Sequence, residues 1–207
     1  MKIWAILGVA AGAYFLAAAG EARADTILAA ESTWEYTFTD PTGSSAWNTT
    51  TGGGWTTGQA PFGNQSYAHD FQYNTWWAAD GSDGDDLWVR QAIDLTGYDL
   101  TTITWALGVD NGFKLYLNGN LVASNNAEGY TYRWEYSGGI SSSYLVNGVN
   151  VIAVALEDHG GATAFDMEVY GNLVVVPLPP SALMGLGLLG GLGLAKVLRD
   201  RRRAAAI

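Results

Sequence analysis

Cysteine is absent from this 207-residue chain, which excludes a disulfide, a thiolate nucleophile and a Cys-ligated zinc site. Histidine is scarce, and His69 and His159 are too few for a His-rich metal centre. Positive charge is scarcest in the middle of the chain. Between residues 25 and 176 stand 18 of the 20 acidic residues against Arg90, Lys114 and Arg133 alone, a local net charge of −15 inside a total of −10. Such a surface repels phosphate backbones and excludes nucleic acid as a partner. The same stretch has no convincing helical period. What it has is glycine, tryptophan and tyrosine, a composition that suits short strands joined by tight turns.

The two ends differ from the middle. Lys2 precedes an apolar run from Ile3 to Ala19, and Ala22-Arg23-Ala24 is small at the −3 and −1 positions of a cut before Asp25. These are the three parts of a secretory signal peptide over 1–24, with a retained anchor as the alternative. At the other end, Pro177-Leu178-Pro179-Pro180 stops any strand. Residues 181–198 are apolar apart from Lys196 and would span about 27 Å as a transmembrane helix. Arg199, Arg201, Arg202 and Arg203 follow at once and keep that end cytoplasmic, which puts the middle of the chain outside the inner membrane. Gly187 and Gly191 have the spacing of a close-packing helix face.

Residues 25–176 read as one all-β module. Trp34-Glu35-Tyr36-Thr37-Phe38 alternates, and so does the run from Leu87 to Ile93. Ile103, Trp105, Leu107 and Val109 share one face, as do Phe113, Leu115 and Leu117 of the next strand. Asn118-Gly119-Asn120 supplies residues that accept positive φ, as a hairpin needs. Tyr130, Tyr132, Trp134 and Tyr136 alternate with Thr131, Arg133 and Glu135. The run from Val151 to Leu156 is continuously apolar, as expected of a central strand covered on both faces. Phe165, Met167 and Val169 close the series. The expected architecture is a two-sheet β-sandwich.

Two resemblances follow from these residues. Val176-Pro177-Leu178-Pro179, the glycine-rich span and Arg199-Asp200-Arg201-Arg202-Arg203 resemble the PEP-CTERM sorting signals read by exosortase in Gram-negative bacteria. The departure is Leu178, where the name-giving motif has Glu. That resemblance implies an exosortase-like processing enzyme as partner, a temporary inner-membrane anchor over 177–207, and passage to the cell surface or beyond, where such proteins accompany exopolysaccharide and biofilm matrix. Leu87-Trp88-Val89-Arg90, Leu107-Gly108-Val109-Asp110, Leu115-Tyr116-Leu117-Asn118-Gly119 and Asn147-Gly148-Val149-Asn150 come in the same order as in a galactose-binding-like jelly roll. They are similar to the sugar-binding domain of family 2 glycoside hydrolases. That resemblance implies a jelly-roll β-sandwich; one fold hosts many functions, so it leaves activity open.

Catalysis is not expected. No G-x-S-x-G occurs, no local spacing links Ser to His, and in the resembled hydrolases the reacting residues sit in a separate barrel for which this chain has no room. Asp80, Asp83, Asp85 and Asp86 are crowded between glycines, which fits either a structural Ca²⁺ site or a solvated acidic turn. The stripe Tyr130, Tyr132, Trp134 suits a sugar platform or plain inner-face packing. Trp76 and Trp77 are adjacent, so in a strand one of them faces outward and is a recognition candidate. Asp110, Asp158 and His159 lie just past strand ends, where loops carry binding groups, although Glu157-Asp158-His159-Gly160-Gly161 equally suits a tight turn. The expected function is a non-catalytic exported protein that binds a polysaccharide or other glycan. A purely structural matrix component and an accessory to a glycoside hydrolase are the alternatives.

Overall fold

A computed structural model describes residues 24–64, 70, 72–79, 84–126, 129–130 and 132–174. The signal segment, the Pro-rich motif Val176–Pro179 and the apolar span 181–198 lie outside the described residues, as do Asp80 and Asp83. Among the described residues no helix is long and apolar enough to cross a membrane.

The module is the expected β-sandwich of jelly-roll type. Among the described residues, twelve strands run in the order β1 (Asp25–Leu28), β2 (Thr33–Thr37), β3 (Thr56–Gln59), β4 (Phe62–Gly63), β5 (Thr75–Trp76), β6 (Asp85–Asp94), β7 (Thr104–Asp110), β8 (Gly112–Leu117), β9 (Asn120–Asn125), β10 (Tyr136–Gly139), β11 (Val149–Glu157) and β12 (Ala164–Gly171). One sheet has the order β10-β7-β12-β4-β5, with β1 also paired to β12; the other has the order β3-β2-β6-β11-β8-β9. All pairs are antiparallel except β4 with β5.

The alternation seen in the sequence faces the two sheets toward one another. Leu87, Val89 and Ile93 of β6, Leu107 and Val109 of β7, Leu115 and Leu117 of β8, and Phe165, Met167 and Val169 of β12 form one buried cluster with Trp34, Phe62 and Trp77. Trp34 and Phe62 each meet Phe165, at ring-centroid distances of 5.3 and 6.1 Å. Strand β11 is buried on both sides for a simple reason. Ile152, Val154 and Leu156 face the main core, while Ala153 and Ala155 face outward beneath Trp47 and Trp88, with Trp55 and Tyr116 packed alongside. The small alanines leave room for the indoles laid across them.

The hairpin between β8 and β9 turns on Asn118 and Gly119, with φ of 48° and 81°. Asn118 does more than turn the chain. Its Nδ2 donates to the carbonyl of Tyr144 and to Asn150 Oδ1, both at 2.8 Å, and its Oδ1 accepts the N–H of Val151 at 2.9 Å. Asn150 is fully buried. Its Oδ1 also accepts the Val146 N–H, and its Nδ2 donates to the carbonyls of Val146 and Gly148. This satisfied amide pair locks the 144–150 connection against the hairpin, and it gives the physical reason for an Asn at the second position of β11.

Asn150→Ala is therefore expected to lower unfolding free energy by about 3 kcal/mol in urea titration, because it strands several buried partners at once. A loss below about 0.5 kcal/mol would show that the amide pair does not hold the connection.

Candidate functional site

The sheet topology brings most of the candidate residues to one end of the sandwich. Strands β7, β9 and β11 end there, and β6, β8 and β12 begin there. Asp85 opposes Glu157, Glu157 opposes Gly112, and Asp110 opposes Ala164. The loop after β11 is fastened by polar contacts. Asp86 Oδ2 accepts the Asp158 N–H at 2.7 Å, Asn111 Oδ1 accepts the His159 N–H at 2.7 Å, and Asn64 Oδ1 accepts the Thr163 N–H at 2.9 Å.

Several candidates turn out to be parts of the framework. Trp77 is buried in the core between the sheets, out of reach of any ligand, and its carbonyl accepts the Thr163 hydroxyl at 2.6 Å. Asp158 is fully buried, and its Oδ1 accepts the Gly160 N–H at 3.0 Å, so this carboxylate closes its own turn. Asp110 is buried too. His159 stands with its Nε2 3.3 Å from Glu157 Oε1. Asp85 and Asp86 are neighbours on a strand and do not converge. Asp85 takes the ammonium of Lys114 at 2.9 Å on both oxygens, while Asp86 serves the Asp158 backbone. Among the described residues no group of three or more His, Asp and Glu side chains is placed to hold a metal ion.

The stripe from Tyr130 to Tyr136 is not one strand; only Tyr136 belongs to β10. The cause is a buried carboxylate on the outer face of the first sheet. Asp166 is fully buried, and the guanidinium of Arg133 reaches down to it through both Nε and Nη2. The segment carrying Arg133 must then lie on the sheet, and it does so over Gly108, where a Cβ would meet the Arg133 carbonyl at 1.9 Å. Glu31 completes the pairing at 3.2 Å. Asp70 holds the same segment from the other side, accepting from the Tyr130 hydroxyl and the Arg133 N–H. Tyr130 thus fastens a loop, and burial together with the Asp70 bond pushes its phenol far above its ordinary pKa. Trp134 is half-buried with Arg133 5.1 Å above its ring, and Tyr132 is exposed.

Trp76 is the outward member of its pair, 56% exposed, and Tyr73 lies against it edge-on at 5.6 Å. Trp76 stands on β5, at the margin of the first sheet opposite Gly63. An indole exposed beside a phenol offers a flat apolar face, the chemistry that stacks on a pyranose ring.

One feature escaped the sequence reading. On the outer face of the second sheet, Arg90 is buried and reaches Glu35 Oε2 at 2.8 Å, the Trp47 carbonyl at 3.3 Å and the Gly52 carbonyl, with its guanidinium 3.9 Å over the Trp55 ring. Glu35 accepts the Gly52 N–H at 2.7 Å. A cleft of about 290 Å³ lies between this arginine and the 41–55 segment, with Trp47 and Trp55 in its walls. The signal for it was present: Trp88 and Arg90 both fall on the outward positions of β6, and two such large side chains require a cover.

Three D-x-T turns, at Asp40, Asp94 and Asp99, share one geometry: the carboxylate accepts the N–H of the threonine two residues on, at 2.8, 2.9 and 3.0 Å. Bonding from the threonine side chain and then its backbone holds each carboxyl below the ordinary 3.8. Asp166 is displaced the other way, because burial outweighs its bonds to Arg133.

Among solved structures, the chain is similar to the β-glucuronidase of Ruminococcus gnavus, at 15% identity and a TM-score of 0.45 over 72% of this chain and 29% of that one. It is similar also to a Bifidobacterium dentium β-glucuronidase complexed with coumarin-3-O-glucuronide, at 11% identity and 0.46 over 72% and 30%. A third is an uncultured Clostridium sp. β-glucuronidase, at 10% identity and 0.46 over 73% and 29%. The chain spans less than a third of the length of these enzymes. No protein-family model and no curated protein matches it.

Carboxyl titration followed by NMR is expected to place Asp40, Asp94 and Asp99 below 3.8 and Asp166 above it. The first three add stability that is full above 3.8 and lost as pH falls through their folded values; the contribution of Asp166 is full below 3.8 and lost as pH rises through its folded value. An Asp166 that titrates with the other three would contradict its burial.

Proposed function

We propose that this chain is an exported, non-catalytic protein whose β-sandwich binds carbohydrate. The observation that carries this reading is the Tyr73–Trp76 pair, with an indole left more than half in water at a sheet margin. A solvated indole forfeits roughly 1.5–3 kcal/mol of burial, which a sugar face would recover. The sequence pattern at the two ends supports export through a signal peptide and sorting by an exosortase-like enzyme, with the module outside the inner membrane and finally at the cell surface or in the matrix.

A second reading, a structural matrix component with no specific ligand, draws on the burial of Trp77, Asp110 and Asp158, which removes three of the loop candidates from contact.

On a polysaccharide array, Trp76→Ala is expected to weaken binding about fivefold to tenfold while leaving the melting temperature unchanged, and Trp76→Tyr to retain most of it. A Trp76→Ala variant that binds like the native protein would remove this pair as the platform; an array with no binding at all would favour the matrix reading. Intact mass of the protein recovered from the cell surface is expected to begin at Asp25 and to lack the arginine cluster. A full-length mass would contradict both processing steps.

A further inference from the structure

The end of the sandwich opposite the candidate loops is where β6, β8 and β12 finish and β7, β9 and β11 begin. Among the described residues, every exposed large aliphatic side chain stands there: Leu121, Val146, Val149, Leu173 and Val174, each more than half in water. Four of them share one support, the connection that follows β6. Asp94 pairs with Val149, and the Leu95 N–H donates to the Gly148 carbonyl at 2.9 Å. Tyr98 pairs with Leu173, and the Gly97 carbonyl accepts the Val174 N–H at 2.8 Å. The segments carrying Val146, Val149, Leu173 and Val174 are thus stitched together through residues 94–98. Aliphatic side chains gathered on one end, with none exposed elsewhere among the described residues, form an interaction face.

The described chain enters and leaves at this same end. Asp25 pairs with Gly171, which sets the start of β1 beside the finish of β12. Only residues 175–180 separate Val174 from the apolar run 181–198, and even fully extended they reach about 25 Å. With 181–198 in a bilayer, so short a tether presents the aliphatic face to the lipid at an effective concentration on the order of millimolar. A second copy would have to arrive by diffusion against a net charge of −15 on each module. We infer that this aliphatic face rests on the outer surface of the bilayer while the chain is anchored. The end that carries Trp76 is thereby turned away from the lipid. The inference rests on the proposed anchor over 181–198, and it adds an orientation that a flexible tether alone does not impose. The contact is apolar in origin. Asp25 and Asp94 stand exposed beside it, so anionic headgroups weaken it.

Spin labels test this directly, because the chain has no cysteine of its own. Val146→Cys and, at the far end, Asn126→Cys are labelled in the full chain, reconstituted one copy per phosphatidylcholine nanodisc. Each label is then relaxed by oxygen, which partitions into lipid, and by a nickel chelate, which stays in water. The ratio of oxygen to nickel accessibility is expected to be at least about threefold higher at 146 than at 126. Val146 lies on a different connection from the tether, so proximity of the tether alone does not raise its ratio. Adding Val149→Asp and Leu173→Asp, both at exposed positions, is expected to bring the ratio at 146 down to that at 126. Replacing half the lipid with phosphatidylglycerol is expected to lower it as well. If the double variant melts lower than the parent, the lipid series decides. Equal ratios at 146 and 126 overturn the inference and leave the anchor standing, as does a ratio that rises with phosphatidylglycerol. A label at 146 that two copies per disc shield from oxygen and nickel alike assigns the face to a second copy and also overturns it. A full chain that elutes apart from the discs removes the anchor itself, and the inference falls with it.

Discussion

Two arginines hold the outer layers of this module to its sheets. Arg90, Lys114 and Arg133 are the only bases in residues 25–176, and each is engaged with a carboxylate: Arg90 with Glu35, Lys114 with Asp85, Arg133 with Asp166 and Glu31. The two arginines do the larger structural task. Each is drawn over an outward sheet face and carries a connecting segment with it, 41–55 over the second sheet and 132–135 over the first. A guanidinium suits this because its planar fork bonds a carboxylate and backbone carbonyls together while its face lies on an indole. Breaking such a buried pair from one side strands the other charge, at a cost of about 3–5 kcal/mol.

With each of the three bases engaged by a carboxylate, residues 25–176 keep a net charge of −15, and the field it creates opposes anionic partners. The exposed Trp76 sits in that field.

The two-sheet architecture was legible in the sequence because strand alternation reports directly on a core between sheets. Leu87, Val89 and Ile93 on β6 and Phe165, Met167 and Val169 on β12 could be assigned to the inside by period alone. The turn at Asn118-Gly119 was legible for an equally local reason, its φ requirement. The site was less legible, because its determinants are contacts across the fold. The alternation from Tyr130 to Tyr136 mimics a strand, yet Arg133 answers to Asp166, 33 residues away. Trp76 and Trp77 look equivalent in sequence; only the pairing of β5 with β4 decides which one points inward.

Amide hydrogen exchange of Arg90→Lys and Arg133→Lys compared with the native protein tests the central claim most directly. Lysine keeps the charge and loses the fork. The account predicts that Arg90→Lys exposes amides in 41–55, that Arg133→Lys exposes those in 132–135, and that β6 and β11 keep their protection in both. Unchanged protection of either segment in its own variant would contradict the claim that these arginines fasten the outer layers.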